Sequence, residues 1–273
     1  MKAKTVLVTG ATDGIGRETA RQLLALGYRV LVHGRNGQKA ERVAQQLAKA
    51  SPPGAAVPVW GDLSRMHEVV RLAQQVQSRC TALDVLINNA GVLENRRRLT
   101  PDGFEMTMAV NHFAPFLLTH CLLDLVKAAP AGRIVTVSSM VHASGDLDPG
   151  DLSFSRGHGS YSGYGAYCAS KLANALFTVS LAKRLAGTKA TANCLHPGVV
   201  DTKLLHAGFS MKGCPVEEGA RTSVFLAASG TVAGVSGKYF DNCRETQSSA
   251  RARDETLAQA LWQASEAALA GFL

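Results

Sequence analysis

The 273-residue sequence lacks the features that mark several classes of protein. Its six cysteines are scattered, without a C-x-x-C pair, and neither they nor the eight histidines show metal-ligand spacing. We therefore expect reduced thiols in a reducing compartment and no metal site. Linkers rich in Pro, Gly or Ser are absent, as are repeats beyond an alternation of strands and helices. With 46% hydrophobic and 18% charged residues, the chain is expected to fold as one domain over residues 1–273.

Targeting and membrane-spanning segments are missing too. Residues 1–4 run directly into the apolar residues 5–8, which leaves no room for a signal peptide. No apolar run reaches the roughly 18 residues that a membrane span requires. We therefore expect a soluble, cytoplasmic protein without a transmembrane segment.

Acidic residues are scarce relative to basic ones, 21 against 29, which gives a formal net charge of +8. An excess of this sign could indicate a nucleic-acid or anionic-membrane partner, and Arg96-Arg97-Arg98 is the one compact basic run. Because no aromatic residues interleave that run, a solvated loop is the better interpretation, and we expect no nucleic-acid partner. Part of the excess suits an anionic cofactor.

Strand and helix patterns alternate along most of the chain. Hydrophobic periodicity predicts strands at residues 5–9, 29–33, 56–60, 85–87, 133–137, 190–195 and 238–240, separated by helices that include 40–47, 64–76, 104–126, 216–228 and 257–268. This alternation predicts an α/β fold: a single-domain, Rossmann-type, doubly wound parallel sheet with helices on both faces. Ligands of such sheets bind at the carboxyl ends of the strands.

A glycine-rich turn follows the first predicted strand. Gly10, Gly14 and Gly16 are spaced Gly-x3-Gly-x-Gly, so the turn does not match the G-x-G-x-x-G fingerprint. Such a turn lets backbone N–H groups approach a phosphate, and the positive end of the helix macrodipole favours the negative charge. An ordinary turn between a strand and a helix is an equally good interpretation of the glycines alone.

No carboxylate follows the second strand, where dinucleotide-binding folds contact the adenosine ribose. The residues there are Gly34-Arg35-Asn36. An acidic residue at this place would bind the ribose hydroxyls of NAD, whereas an arginine suits the extra phosphate of NADP. Arg35 is therefore predicted to bind the 2′-phosphate, with an ordinary loop arginine as the alternative.

Polar residues also follow the other predicted strands. Asp62, with Leu63, could accept a hydrogen bond from the adenine amine, or it could merely start the next helix. Asn88-Asn89-Ala90-Gly91 suits a sharp turn as well as a ligand site. Asn111 lies in a predicted helix that faces the sheet, where a buried amide needs partners.

One pair of residues could perform acid–base chemistry. In a helix, Tyr167 and Lys171 lie on one face, close enough for the ammonium to act on the proton of the phenol. A free tyrosine titrates near about 10, so it needs such help to exchange protons at neutral pH. The pair taken alone is more typical of a helix surface. Tyr161 and Tyr164 lack a lysine four residues later.

The segment near residues 202–215 is apolar but broken by glycines. Leu204, Leu205, Phe209 and Met211 are its large apolar residues. A segment of this kind beside the strand ends could be a lid over a lipophilic substrate. A loop packed on the core is about as consistent with the pattern.

These motifs, in this order, resemble those of the short-chain dehydrogenase/reductase family. The matching residues are Thr9-Gly10-x3-Gly14-Ile15-Gly16, Asp62-Leu63, Asn88-Asn89-Ala90-Gly91, Asn111, Ser139, Tyr167-x3-Lys171 and Pro197-Gly198. Residues 111–119, 166–174 and 236–240 resemble the branch that contains the retinol dehydrogenases. The membrane-bound enzymes of that branch carry an N-terminal anchor, whereas this chain starts at the first strand. That difference argues against membrane attachment and against a retinoid substrate.

The resemblance implies a role for each matching residue. Asn111, Ser139, Tyr167 and Lys171 would form a catalytic tetrad, with Ser138 as the alternative serine. Lys171 would lower the pKa of Tyr167 and hold the nicotinamide ribose, while Asn111 would fix a water molecule. The implied NADP(H) site comprises Gly10, Thr12, Asp13, Gly14, Ile15, Gly16, Arg35, Asn36, Asp62, Leu63, Asn89, Ala90, Gly91, Tyr167, Lys171, Pro197, Gly198, Val200 and Thr202.

The implied activity is hydride transfer between NADP(H) and a carbonyl or alcohol substrate, and we expect that substrate to be a lipophilic aldehyde or ketone. The alternative is a non-catalytic NADP-binding sensor or scaffold on the same fold, which would be expected to have lost part of the tetrad. The family also implies a homo-dimer or homo-tetramer.

Overall fold

The computed structural model of the protein describes residues 3–155, 161–208 and 211–273. Eight strands form one sheet in the order β3-β2-β1-β4-β5-β6-β7-β8. The strands are β1 (Thr5–Val8), β2 (Arg29–Gly34), β3 (Ala55–Trp60), β4 (Val85–Asn88), β5 (Arg133–Val137), β6 (Thr191–His196), β7 (Tyr239–Asp241) and β8 (Arg244–Thr246). All neighbouring pairs are parallel except β7 and β8, which are antiparallel.

Helices connect the parallel strands. They are α1 (Gly14–Ala25), α2 (Gly37–Ala50), α3 (Met66–Gln77), α4 (Met106–Met108), α5 (Ala114–Ala128), α6 (Gly163–Arg184), α7 (Lys203–Gly208), α8 (Val216–Ala228) and α9 (Glu255–Ala268). The strand order runs outward from β1 to β3 on one side and from β4 to β7 on the other. The order therefore reverses between β1 and β4, which is the point where doubly wound sheets leave a crevice for ligands.

The core has two layers because successive side chains of a strand point to opposite faces of the sheet. On β1, Leu7 packs with α3, α5, α6 and α9, whereas Val6 and Val8 pack with α1, α2 and α8. Every residue of β1 and β4 is buried, as expected for parallel strands that helices cover on both faces. The predicted fold class is confirmed.

The helix predicted over residues 104–126 has a different local structure. Between α4 and α5, residues Ala109–Phe113 form a π-helical turn, which contains Asn111. Such turns contain one residue more than an α-turn and occur often at functional sites. The structure also contains two short elements that the sequence patterns did not predict, α7 and β8.

The combined helix Met106–Ala128 is long and apolar enough to cross a membrane, judged by length and composition. Most of it is buried inside the protein, and a core helix passes the same test. Phe116, for example, packs against Phe177 of α6 and Trp262 of α9, with ring centroids 5.6 and 4.7 Å away. One segment thus passes the length and composition test that none was expected to pass, and its burial is that of a core helix.

Candidate active site

A cleft of about 1810 Å³ opens along the carboxyl ends of six parallel strands. Gly10, Gly34, Asp62, Asn89 and Ser139 line it where β1 to β5 end, together with the last residue of β6. All the predicted site residues line this cleft except Asn36 and Asn111. Within the described ranges, no group of three side chains could hold a metal ion.

The glycine turn forms a cradle that leaves no space for side chains. Gly10 and Gly14 have φ angles of +66° and +49°, in the left-handed region that favours glycine. A Cβ atom on Gly10 would lie 3.0 Å from Cα of Ala90, and one on Gly16 would collide with the Asn89 amide and the Gly10 carbonyl. Close packing against the end of β4 therefore requires glycine at these positions. Gly10, Gly14 and Gly16 also line the cleft, so the backbone at the start of α1 is accessible to a phosphate-containing cofactor.

Thr9 and Asn89 connect this turn to the end of β4. The Thr9 hydroxyl oxygen accepts hydrogen bonds from the backbone N–H groups of Asn89 (2.9 Å) and Ala90 (3.0 Å). The side-chain amide of Asn89 donates to the carbonyl oxygen of Thr9 at 2.8 Å. The Asn89 side chain thus links two strand ends across the switch point.

His33, which the sequence reasoning missed, connects three strand ends. Its Nδ1 accepts from the backbone N–H of Gly10 at 3.1 Å, and its Nε2 lies 3.0 Å from the carbonyl oxygen of Gly61. Burial lowers the pKa of His33 to about 4, so the ring is neutral at neutral pH. Its place at the end of β2 is the one sequence signal that could have identified it.

The predicted adenosine-binding residues lie where β2 and β3 end. Arg35 is exposed on the wall of the cleft. Asn36 does not line the cleft; its side-chain oxygen caps α2 by accepting from the Lys39 N–H at 3.0 Å. One carboxylate oxygen of Asp62 accepts from the N–H and the hydroxyl of Ser64, at 3.0 and 2.8 Å.

An exposed ion pair spans the mouth of the cleft. Asp13 caps α1 by accepting from the Gly14 N–H at 3.0 Å, and its other oxygen lies 2.6 Å from Nζ of Lys203 on α7. The hydrogen bond from Lys203 is the largest single influence on Asp13, and the pKa of this carboxyl is lowered overall. Pairs as exposed as this one contribute little to stability, about 0–1 kcal/mol.

Tyr167 and Lys171 lie one turn apart on α6, and both line the cleft. Nζ of Lys171 is 5.4 Å from the centroid of the Tyr167 ring and donates to the carbonyl oxygen of Val137 at 3.0 Å. Burial lowers the pKa of Lys171 to about 8. Burial raises the pKa of Tyr167, and the neighbouring Cys168 thiol raises it further, so the lowering expected from Lys171 is not found.

The two serines after β5 differ in their hydrogen bonds. The Ser138 hydroxyl is buried and donates to the carbonyl oxygen of Lys171 at 2.7 Å. Among the described residues, the Ser139 oxygen accepts only a long hydrogen bond, 3.4 Å, from the Val141 N–H, and Ser139 lines the cleft. Ser138 therefore secures α6 to β5, and Ser139 is the serine with its hydroxyl available to a ligand.

Asn111 is fully buried behind the wall of the cleft. Its oxygen accepts from the Val92 N–H at 2.8 Å, and its nitrogen donates to the Val92 carbonyl and to the Ser170 hydroxyl, at 3.0 and 2.9 Å. A Cβ atom on Gly91 would lie 3.5 Å from the Asn111 oxygen and 3.6 Å from Nζ of Lys171. Asn111 thus holds the loop after β4 next to α6.

The last group of predicted residues follows β6. Pro197, Gly198, Val200 and Thr202 line the cleft, and Gly198 has a φ angle of +91°. The Thr202 hydroxyl oxygen accepts from the Leu205 N–H at 3.2 Å, at the start of α7. The remaining lid residues divide as follows: Leu204, Leu205 and Met211 line the cleft, and Phe209 lies outside the described residues.

The family model described as "short chain dehydrogenase" matches residues 4–147 and 152–213. Human retinol dehydrogenase 14 is 42% identical to the chain, over 97% of this chain and 86% of that protein. Human retinol dehydrogenase 12 is 39% identical, with the same two coverages.

Solved structures agree with the family match. An uncharacterized protein from Mycobacterium paratuberculosis has a TM-score of 0.80 and 33% identity, over 97% of this chain and 92% of that one. A proposed short chain dehydrogenase from Escherichia coli CFT073, solved in complex with NADPH, has a TM-score of 0.74 and 27% identity, over 89% and 98% of the two chains.

The comparisons overturn the expectation of a cytoplasmic location. The chain matches several retinol dehydrogenases over nearly its whole length, and the retinol dehydrogenase branch includes membrane-bound enzymes. The combined helix Met106–Ala128 also meets the length and composition of a membrane span. The prediction of a cytoplasmic location failed because it relied on the residues before β1.

With its sheet order, its cleft and these matches, the chain belongs to the short-chain dehydrogenase family of oxidoreductases, whose fold binds a nicotinamide cofactor.

Proposed function

We propose that the protein is an NADP(H)-dependent oxidoreductase that interconverts a lipophilic alcohol and its aldehyde or ketone. The observation that carries this proposal is the convergence of Ser139, Tyr167 and Lys171 on one cleft at the switch point of the sheet. Ser139 follows β5, and the other two residues lie on α6, which packs beside that strand. A reacting group bound there would meet a proton donor, a hydrogen-bond donor and a cation together.

The cleft has features that suit the cofactor. The cradle around Gly10 and Gly16 would hold the diphosphate against the N-terminus of α1, and the loop from Gly198 to Thr202 would cover it. When bound, the nicotinamide supplies or accepts the hydride. The protein binds and orients both partners and manages the proton.

The proton chemistry falls to three side chains. In the reducing direction Tyr167 would donate its proton to the carbonyl oxygen of the substrate, while the Ser139 hydroxyl hydrogen-bonds the same oxygen as negative charge builds up on it. Lys171, mostly protonated below its pKa of about 8, would stabilise the tyrosinate that results. Asn111 would keep Lys171 in place by fixing the loop at Gly91, a role that its hydrogen bonds to Val92 and Ser170 support.

Arg35 is the basis for proposing NADP rather than NAD. It is exposed on the cleft wall after β2, and residues 34–36 contain no carboxylate that would bind the ribose hydroxyls of NAD. A charged hydrogen bond of this kind contributes about 1.5–3 kcal/mol. A related structure in complex with NADPH is in keeping with this preference.

The substrate side of the cleft is apolar. Met106, Val110, Leu204, Leu205 and Met211 line it, and α7 carries two of them. We propose that α7 and the segment up to residue 215 act as the substrate lid. A lipophilic aldehyde or ketone suits such walls, and retinal belongs in the test because the relatives are named retinol dehydrogenases.

The decisive experiment replaces Tyr167 by Phe, with Tyr164→Phe as a matched control from the same cleft. A positioned proton donor contributes roughly 100- to 10,000-fold in rate, so Tyr167→Phe is expected to lose turnover by that factor and keep its NADPH affinity. Tyr164→Phe is expected to stay within about threefold, since no lysine follows one turn later. Turnover is measured as NADPH consumption with aldehydes, ketones, retinal and steroids.

A Tyr167→Phe variant with full turnover would refute the assignment. A wild-type protein that binds NADPH but turns over none of these substrates would favour the sensor or scaffold instead. The proposed homo-dimer or homo-tetramer is tested by light scattering of the purified protein.

A further inference from the structure

His142 lies three residues after Ser139, and both of its ring nitrogens are hydrogen-bonded. Nδ1 is 2.7 Å from the carbonyl oxygen of Ser139, and Nε2 accepts from the backbone N–H of Ser249 at 3.0 Å. A carbonyl can only accept and an amide N–H can only donate, so the ring must be neutral with its proton on Nδ1. Burial lowers the pKa of His142, which favours the same neutral form.

The histidine joins two segments that are distant in sequence. Its ring is buried and lies 4.8 Å from the ring of Tyr239 on β7, between centroids. Next to it, Arg251 donates to the Asp146 carboxylate at 2.7 Å and to the Leu147 carbonyl at 3.2 Å. Residues 249–251 of the C-terminal part thus hold residues 139–147, which follow β5.

These contacts restrain the backbone of Ser139. Its carbonyl oxygen accepts from the backbone N–H of His142 at 3.1 Å as well as from the ring. Within the described part of the chain, the Ser139 hydroxyl itself has only the long contact with the Val141 N–H. The position of that hydroxyl in the cleft is therefore set mainly through the backbone, and His142 supplies both donors to its carbonyl.

We propose that His142 is a positioning residue that holds Ser139 in its productive geometry and couples it to the C-terminal segment at Ser249. The inference rests on the proposed function, in which the Ser139 hydroxyl contacts the substrate oxygen. A displacement of about 1 Å in such a group can lower the rate by roughly 100-fold. The two nitrogens have separable tasks: Nδ1 fixes the serine, and Nε2 receives the C-terminal segment.

Two substitutions separate these tasks. His142→Asn places an amide near the position of Nδ1 and loses the contact with Ser249, whereas His142→Gln places an amide oxygen near Nε2 and loses the donor to Ser139. We expect the Gln variant to lose roughly tenfold or more in kcat, and the Asn variant to stay within about threefold. The KM for NADPH should change in neither. Amide exchange at Ser249 should accelerate in the Asn variant and stay slow in the Gln variant.

Exposed His120→Asn serves as the control and should leave kcat and exchange unchanged. Equal kcat values for the Asn and Gln variants at matched thermal stability would overturn the proposal. So would a nitrogen NMR spectrum showing the His142 proton on Nε2 at neutral pH. If Ser139→Ala and Tyr167→Phe keep full turnover, the proposed function itself fails; if they are inactive while the two His142 variants are equal, only the positioning role fails.

Discussion

At the ends of β1, β2 and β3 the cleft is built from glycines, the exposed Arg35 and the buried, neutral His33, whereas beside the ends of β4 and β5 it carries the buried Tyr167 and Lys171, to which the proposed reaction assigns the proton chemistry. His33 and Asp62 belong to the first region, and Lys171 and Tyr167, on the helix beside β5, belong to the second. In the first region Arg35 is exposed, and Asp62 is half-buried. Under the proposed function, the first region would select the cofactor by shape and surface charge, and the second would perform the chemistry through desolvated groups.

The largest expected effect tests the buried region. Lys171→Met keeps the apolar stem and removes the ammonium, so a tyrosinate at Tyr167 would lose its stabilising charge. Turnover is expected to fall by about 100-fold or more, as measured by single-turnover NADPH oxidation. Lys183→Met, on the exposed side of the same helix, should leave turnover unchanged. Equal effects of the two variants would remove the distinction between the regions.

Protonation of buried histidines gives the next largest effect. His33 lines the cleft, whereas His112 lies on the π-helical turn and contacts α9. Burial lowers the pKa of His33 to about 4 and that of His112, which bonds Ser265, to about 3. As the pH falls, the histidines of the unfolded chain take up protons near pH 6.5, before those of the folded protein do. Their contribution to the free energy of unfolding is therefore greatest above that pH, and it decreases as the pH falls toward 4. Each histidine contributes a slope of about 1.4 kcal/mol per pH unit.

Urea unfolding between pH 7 and 4 measures that slope. In His33→Asn, the slope of the free energy of unfolding against pH should decrease by the contribution of one histidine, because no ring remains at this position to take up a proton. Exposed His120→Asn should not alter it. A curve of unchanged slope in the His33 variant would mean that this ring is already charged in the folded protein.

Arg35 tests the selectivity of the exposed region. Arg35→Ala is expected to weaken NADPH binding by about 10- to 150-fold, from the loss of a charged hydrogen bond, and to change NADH binding by less than about twofold. Isothermal titration with both cofactors decides this. Arg42→Ala, on the exposed face of α2 outside the cleft, is the matched control. Equal losses for the two cofactors would contradict the assignment of the 2′-phosphate.

The smallest effect is expected at the exposed pair Asp13–Lys203. A double-mutant cycle with Asp13→Asn and Lys203→Gln should give a coupling energy below about 1 kcal/mol in urea unfolding, and less at high salt. Asp13→Asn alone retains the oxygen that caps α1. A coupling energy of several kcal/mol would show that charges in this region act as strongly as the buried ones.

The sequence could predict that the glycine turn, Asp62, Asn89 and Ser139 meet, because the carboxyl ends of parallel strands lie at one edge of the sheet. It could not predict which polar side chains form hydrogen bonds with the protein's own backbone. Asn36 caps α2 and Asn89 bonds Thr9, although both were predicted to bind the cofactor. Cofactor binding remains a prediction for the residues that line the cleft.

The residues that were missed have partners far away in the chain. His142 bonds Ser249 across 107 positions, and His33 bonds Gly61 across 28. The π-helical turn around Asn111 likewise has no periodicity of its own within an apolar helix. No local pattern marks such residues, since their neighbours are decided by the packing of whole elements.

By itself the sequence determined the order of strands β1 to β7 and of the longer helices, the glycine turn and the spacing of Tyr167 from Lys171. These depend on periodicity and on backbone angles that few residues adopt. Tertiary structure alone decided how the polar groups divide their tasks. In the folded protein the Ser138 hydroxyl donates to a backbone carbonyl, whereas Ser139 lines the cleft with only a long hydrogen bond among the described residues. Burial raises the pKa of Tyr167 and lowers that of Lys171. Hydrogen-bond partners and burial are properties of the packed chain, so only the fold could assign them.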